Sequence, residues 1–346
     1  SKCMQCHKCI NVCAFKKDLL IRDNKMPLKS LIAFHNDEQV RMLSRSGGVF
    51  VALSDLIIKK GGVVYGATIT SEFKVRHECA ETRLCRDAFC GSKYVQSDTV
   101  QTFKDIAGHL RGNRKVLFSG TGCQVAGLLS YLENNGLENH ENLLTTDIVC
   151  HGVMSPKIWN DNLHFVTHGN IRDLKRVDFR DKSFGWDTHV ETYDYGNRKA
   201  HSKLYTSVFY EHCGLRPSCY VCPYASITRK SDITLADAWG VSKVEPLWDA
   251  KKGVSLVLIN SQKGNRYFED VTNVLTTKDV ELEPFMQPNL QHPTEKPSYR
   301  SRFWEEYNKK GYIYLSRKCE KRQNKIAQRN KIKHQLVLMI KKIRKA

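Results

Sequence analysis

Long apolar runs are missing from this sequence. The longest uncharged one near either end is LVLMI, residues 336–340, far short of the roughly 20 apolar residues that a membrane-spanning helix needs. No basic, apolar leader precedes Cys3, so the reading expects no secretory signal and a cytoplasmic protein. No stretch of 20–50 residues recurs, which argues against a solenoid. Acidic residues are also scarce, with 36 Asp and Glu against 55 Lys and Arg. The imbalance is local. From Ser316 to Ala346, twelve Lys and Arg meet Glu320 alone, a net +11 of the chain's +19, leaving +8 for everything before it. The tail is therefore a separate electrostatic object.

Cysteine is the residue in surplus, with thirteen in 346 residues. In a reducing cytoplasm, clustered cysteines point to metal or redox chemistry rather than to a disulfide scaffold, and an odd count resists complete pairing. The first four, Cys3, Cys6, Cys9 and Cys13, are spaced C-x2-C-x2-C-x3-C. That spacing wraps three sulfurs round one [4Fe–4S] cube, and in two-cluster ferredoxins the fourth cysteine serves the other cube. Zinc knuckles rarely use it. Ala14 stands where proline usually follows. A complementary run upstream of Ser1 would complete both cubes; otherwise Cys13 closes the first.

The pattern predicts an α/β protein with α+β elements. It consists of a ferredoxin-like segment (1–15), a polar connector (16–43), a central mixed-sheet domain (44–300) and a basic helical tail (301–346). Strands are expected at VVYGATI, KVLFSG, LLTTDIV, ITLADAWG and GVSLVLIN, and helices at 49–62, 123–136 and after Pro156. The stretch around Gly196-Asn197 reads as an antiparallel hairpin.

Four more cysteines sit where strands should end. Cys123 lies in a glycine-rich turn, Cys150 follows the next strand, and Cys219 and Cys222 form a C-x2-C pair. Ligands of parallel α/β sheets gather outside the carboxyl ends of strands. Together the four make a second thiolate set, although each alone could be a buried small hydrophobe and the pair a redox dithiol or zinc half-site. Cys213 is a rival ligand. Cys79, Cys85 and Cys90 read as structural or free.

SRSGGVFVAL, GSKYVQS, VLFSGTGCQVAGL, VCHGVMSPKIW, FRDKSFGW, LRPSCYVCPYA and SDITLADAWG occur in this order. The chain thereby resembles the coenzyme F420 hydrogenase/dehydrogenase beta-subunit family over roughly residues 1–300. The resemblance implies an FAD-bearing iron–sulfur oxidoreductase, exchanging electrons with F420 or another two-electron carrier. Cys123, Cys150, Cys219 and Cys222 would be the ligands of the cluster near the flavin. Gly122 replaces the family's usual proline, which is expected to loosen the turn.

For the flavin, Ser46, Gly47 and Gly48 open a predicted helix whose free N–H groups favour a pyrophosphate; plain N-capping by Ser46 is the competing reading. Gly91, Ser92, Lys93 and Tyr94 could contact the ring, with Lys93 stabilising negative charge on it, or form an ordinary solvated turn. Gly120 and Thr121 belong to the same candidate site. SGTGCQVAG is spaced G-x-G-x4-G, which does not fit direct NAD binding. His151 is a candidate proton carrier, or simply a core or surface histidine. Asp232 and Asp237 read as loop-ordering acids.

Three functions compete. The first is an iron–sulfur flavoprotein with a small-molecule substrate and a ferredoxin or other redox subunit as partner. Its tail helix, with Ile332, Leu336, Ile340 and Ile343 bordered by lysines, could pack on its own domain, dock on an acidic partner or lie on the anionic inner face of a membrane. The second is a zinc-binding nucleic-acid protein, disfavoured because the basic excess lies away from the cysteines. The third is a degenerate scaffold of the same fold.

Overall fold

The computed structural model describes residues 26–343 except 100 and 139, together with residues 4, 5, 7, 10, 13 and 15, and describes no side chain at 330, 331 or 333–343. Cys3, Cys6, Cys9 and most of the tail's apolar stripe therefore lie outside the described residues. The chain forms two compact units. One comprises residues 1–153, 180–188 and 217–294, and the other 154–179, 189–216 and 295–346.

In chain order the strands are β1 (Lys29–His35), β2 (Val63–Ile69), β3 (Val75–Ala80), β4 (Val116–Thr121), β5 (Leu143–Ile148), β6 (Arg176–Asp178), β7 (Glu191–Asp194), β8 (Lys199–Ser202), β9 (Ile233–Asp237), β10 (Ser255–Ile259) and β11 (Leu275–Asp279). The helices are α1 (Glu38–Leu43), α2 (Val49–Lys59), α3 (Arg83–Asp87), α4 (Thr102–Arg111), α5 (Gly122–Glu133), α6 (Pro156–Val166), α7 (Leu204–Tyr210), α8 (Val241–Val244), α9 (Gln262–Glu269), α10 (Pro288–Gln291) and α11 (Arg300–Ile343). No helix among the described residues is long and apolar enough to cross a membrane.

The first unit is built on an eight-stranded sheet in the order β11-β1-β10-β9-β5-β4-β2-β3. The inner strands β2, β4, β5 and β9 run parallel, and the flanking pairs are antiparallel. Both faces are buried. Val257 and Ile259 of β10 pack with Leu53 and Ile57 of α2, while Leu256 and Leu258 turn the other way towards Trp186 and Phe285. Side chains alternate across a strand, so a continuous apolar run such as SLVLI fits a doubly covered strand.

The stretch read as a connector contains β1, whose Leu31, Ile32 and Ala33 are almost fully buried. Charged and polar neighbours hid this short apolar core. The tail likewise does not start a new body at 301, because α11 belongs to the second unit, with 154–179 and 189–216.

That second unit holds the hairpin sheet β6-β7-β8, with Gly196 at φ 86° in the turn. The Tyr193 hydroxyl donates to Glu191 (2.9 Å) and accepts from Asn162 Nδ2 (2.9 Å), while Tyr312 donates to Asn162 Oδ1 (2.7 Å). Buried polar groups of this kind specify one packing because every partner must be met. Helix α11 changes direction at Gly311, where φ 75° and ψ 179° interrupt the spiral.

Candidate iron–sulfur and flavin site

The parallel strands β4 and β5 end side by side, with Thr121 opposite Ile148. Chain continuity then places Cys123 in the first turn of α5 and Cys150 just beyond β5. The replacement at 122 has not loosened the turn. Gln124 Oε1 accepts from the Thr121 N–H at 2.9 Å and from its hydroxyl at 3.1 Å, closing the start of the helix. A Cβ at Gly122 would lie 3.0 Å from Tyr224 Cβ and 3.1 Å from Asp147 Oδ2, so this position is tight. The Thr121 hydroxyl is 3.2 Å from Cys123 Sγ.

The four candidate thiols feel one another's charge. Cys150 is pushed up to about 12, first by burial and then by Cys123, against the N–H of Gly152 and with further contributions from Cys219 and Cys222. That N–H lies 3.3 Å from its sulfur. Cys222 is raised by burial, while the N–H groups of Tyr224 and Ala225 favour its thiolate. The Tyr224 phenol is raised by burial and then by Cys123, Cys222 and Cys13. Phe15 packs edge-on against the same ring, 6.1 Å between centroids. Thus Cys13, the described member of the first run, also reaches this place.

Cys213 belongs to the second unit, where it is fully buried and raised to about 11 by burial and by Glu211. Cys90 is raised to about 11 by burial, and Cys79 is hydrogen-bonded with Tyr65. Among the described residues, no three His, Cys, Asp or Glu side chains close on a point as a single metal ion requires. A tetrahedral zinc would draw its sulfurs to within roughly 3.8 Å of one another.

The residues nominated for the flavin have specific structural duties. Lys93 Nζ donates to the carbonyls of Ala88 (3.0 Å), Phe89 (2.8 Å) and Cys90 (2.8 Å). Gly91, at φ 80°, and Ser92 precede it in that turn, with Tyr94 half-buried just after. Ser46 does not cap α2; its hydroxyl donates to the Val254 carbonyl (2.7 Å), and Gly48 takes the cap position at φ 93°. A Cβ on Gly47 would meet Ala33 O at 2.2 Å, so glycine is needed for the loop to pass against β1 and β10. Gly120 and Thr121 form the end of β4. The His151 backbone is fixed by Thr294 Oγ1, 2.7 Å from its carbonyl.

Residues 113–283 match the family model for the C-terminal region of the coenzyme F420 hydrogenase/dehydrogenase beta subunit. No curated protein matches the chain. Among solved structures, a chain of the F420-reducing [NiFe] hydrogenase complex from Methanosarcina barkeri shares the fold at 16% identity and a TM-score of 0.53, covering 73% of this chain and 82% of that one. Over residues 113–283 the chain is therefore similar to the C-terminal region of the coenzyme F420 hydrogenase/dehydrogenase beta subunit.

The matched domain includes Cys123, Cys150, Cys219 and Cys222. Three further functional candidates carry no motif of their own. Arg229 Nη1 lies 3.3 Å from Asp147 Oδ2, both almost fully buried, beside the Gly122 turn. His77, in β3 and outside the matched span, accepts or donates to Ser97 Oγ (2.6 Å) and donates to Ser119 O (3.0 Å). Burial lowers it to about 4, with a further lowering by Lys93, so it is neutral, its Nε2–H donating to Ser119 and its Nδ1 accepting from Ser97, and it ties Ser97 to β4. Lys182 reads from sequence only as one residue of FRDKSFGW. Its ammonium donates to the carbonyls of Arg41 (2.7 Å), Ser44 (3.0 Å) and Ser46 (3.0 Å). The RDK and TRKSD charges were the available signal, but sequence alone does not show which charges are buried. Asp232 accepts from Thr145 N and Oγ1 at 2.9 Å and from Ser261 at 2.6 Å, and so orders the ends of β5 and β9.

Proposed function

We propose that this chain is an iron–sulfur flavoprotein oxidoreductase passing electrons between [4Fe–4S] clusters and FAD, and from FAD to a two-electron carrier or substrate of the deazaflavin F420 kind. The observation that supports the reading is that thiols from three separate segments feel one another's charge, Cys123 and Cys150 beyond neighbouring strands and Cys219 and Cys222 at the 217–222 turn, with N–H groups directed at Cys150 and Cys222. Cys123, Cys150, Cys219 and Cys222 would hold the inner cluster, and Cys3, Cys6, Cys9 and Cys13 an outer one. The donor set fits, since cluster thiolates are stabilised by hydrogen bonds to sulfur. Near the flavin loop, Ser44 Oγ and Trp186 Nε1 are buried polar atoms without a hydrogen-bond partner among the described residues, which fits an acceptor-rich cofactor.

When bound, the clusters supply single-electron exchange and the flavin exchange singly or in pairs. The chain's own groups hold and orient. The Gly152 N–H favours thiolate sulfur at Cys150. Arg229 adds positive charge beneath the Cys123 turn. Lys93 closes the 88–93 turn and His77 ties Ser97 to β4, and Lys93 would lend positive charge to a flavin ring. His151, next to Cys150, would carry a proton.

The fold shared with a chain of a hydrogenase complex supports a redox subunit or ferredoxin as partner. The basic tail supports docking on an acidic partner or on an anionic membrane surface at the inner face of the cytoplasmic membrane. Salt-sensitive pelleting with anionic liposomes would decide between them. The central test is anaerobic purification with iron, sulfide and flavin counts. Roughly four iron and four sulfide per occupied cluster, with stoichiometric FAD, are expected. Zinc without acid-labile sulfide overturns the reading.

A further inference from the structure

We propose that Arg45, Trp186 and Ser44, with Arg180 and Lys182 as buried positive charge behind them, form a binding site for a phosphate-bearing ligand. The groups come from two loops more than 130 residues apart and lie within the first unit. Arg45 Nη1 donates to the Arg180 carbonyl at 3.0 Å, and its Nη2 donates to the Trp186 carbonyl. Arg180 pairs with Asp237 at 3.1 Å and donates to Trp186 O at 3.1 Å. Lys182 is held by the carbonyls of the 41–46 loop. The rings of Trp186 and Trp239 stack at 4.7 Å, with Arg180 5.5 Å above Trp239. Gly253 completes the packing, because a Cβ there would lie 2.8 Å from Ser46 O and 2.9 Å from Lys182 Nζ.

Two independent features point to an anion. The first is charge. Arg45, Arg41 and Arg180 all act on Lys182 in the same sense, and Asp237 opposes them. Holding like charges together in a poorly hydrated place is costly unless an anion joins them. The second is the pair of unpartnered buried atoms. Trp186 is 5% exposed and Ser44 8%, and neither the indole N–H nor the hydroxyl has a partner among the described residues. Buried donors normally find an acceptor. A phosphate offers several acceptor oxygens and suits guanidinium geometry. Arg45 and Trp239 are half-buried, so the site opens at them.

The phosphate could belong to the pyrophosphate of FAD, which rests on the proposed function, or to a phosphorylated substrate. The test uses the full chain, purified anaerobically, with inorganic pyrophosphate, FAD and riboflavin as probes in calorimetric titrations. The variants are Arg45→Gln and Trp186→Phe, the latter keeping an aromatic ring and removing the N–H. Circular dichroism and thermal melts check that both fold. We expect pyrophosphate binding to weaken about tenfold or more in Arg45→Gln and less in Trp186→Phe, with riboflavin unaffected. A parallel loss of FAD affinity assigns the site to the cofactor. Loss for pyrophosphate with unchanged FAD assigns it to a phosphorylated substrate. If the wild-type chain takes up no FAD yet binds pyrophosphate through Arg45, the flavin reading fails and the anion site survives. Unchanged pyrophosphate affinity in both folded variants, or none in the wild type, overturns it.

Discussion

Two groups of cysteines in this molecule have similar acidities and opposite surroundings. Cys150 in the first unit is raised to about 12, and so is Cys319 in the second. Burial is the main cause in both, but the secondary influences differ. Around Cys150 they are other thiols and a backbone N–H. Around Cys319 they are Glu211 and Cys213, which raise it, and Lys318 and Arg322, which lower it, in a cluster where Glu211 also accepts from Tyr299 (2.7 Å) and pairs with Arg322 (3.1 Å). A nearby carboxylate opposes thiolate formation, and N–H donors favour it. An elevated thiol pKa therefore does not separate the candidate ligand cysteines from Cys319; what differs is the company, since three other thiols act on Cys150 and charged side chains act on Cys319.

Cys→Ser at 123, 150, 219 or 222 is the sharpest way to break this contrast. Each should remove the whole iron complement of the inner cluster, measured by iron and sulfide analysis and by the visible spectrum. Cys213→Ala and Cys319→Ala should leave iron unchanged and cost about 1–2 kcal/mol of stability. Loss of iron in Cys213→Ala would erase the distinction.

The places of Cys123 and Cys150 beyond neighbouring strands were legible because chemistry and strand period coincide there. Cys123 and Cys150 each follow an apolar run that can only be a buried strand, and the C-x2-C pair is a local signal. The residues nominated for a flavin stand out as motifs, but their structural duties do not. Gly47 reads as an open phosphate loop, yet its neighbour in space is Ala33 of β1, a strand hidden among charged residues. Lys93 reads as a free cation, yet it caps three carbonyls. Both outcomes depend on which distant backbone lies close by, and no local pattern encodes that. The two-unit division was illegible for the same reason, since its segments alternate along the chain.

The second prediction concerns the support beneath the inner thiols. Asp147 is raised by burial, with Arg229 as its main opposing charge, and Ser231 donates to it at 2.9 Å. Arg229→Met leaves a buried carboxylate without its cation, which should destabilise the first unit by about 3–5 kcal/mol, read by urea denaturation. The double variant Asp147→Asn/Arg229→Met should recover part of that loss, because the stranded charge is gone. An additive double variant would mean the two residues act separately.

The second unit buries an acid among neutral donors, which gives a predicted effect smaller than that of Arg229→Met. Glu191 accepts from Tyr193 (2.9 Å) and from the Thr206 N–H, and burial raises it to about 6 from 4.5. Between these two values the folded chain keeps a proton that the unfolded chain has already released. Stability from this group is therefore fully present below about pH 4.5 and declines as pH rises through about 6. The shift corresponds to about 2 kcal/mol. Glu191→Gln keeps an acceptor for the Thr206 N–H but cannot ionise. The difference in denaturation midpoint between wild type and Glu191→Gln should change over that window and be flat above it. Asp147→Asn in the first unit should show a different profile, because the ionised form there is opposed by burial but favoured by Arg229. If the Glu191→Gln difference is constant from about pH 4 to about pH 7, the carboxyl stays in one protonation state throughout, and the two buried acids differ only in packing.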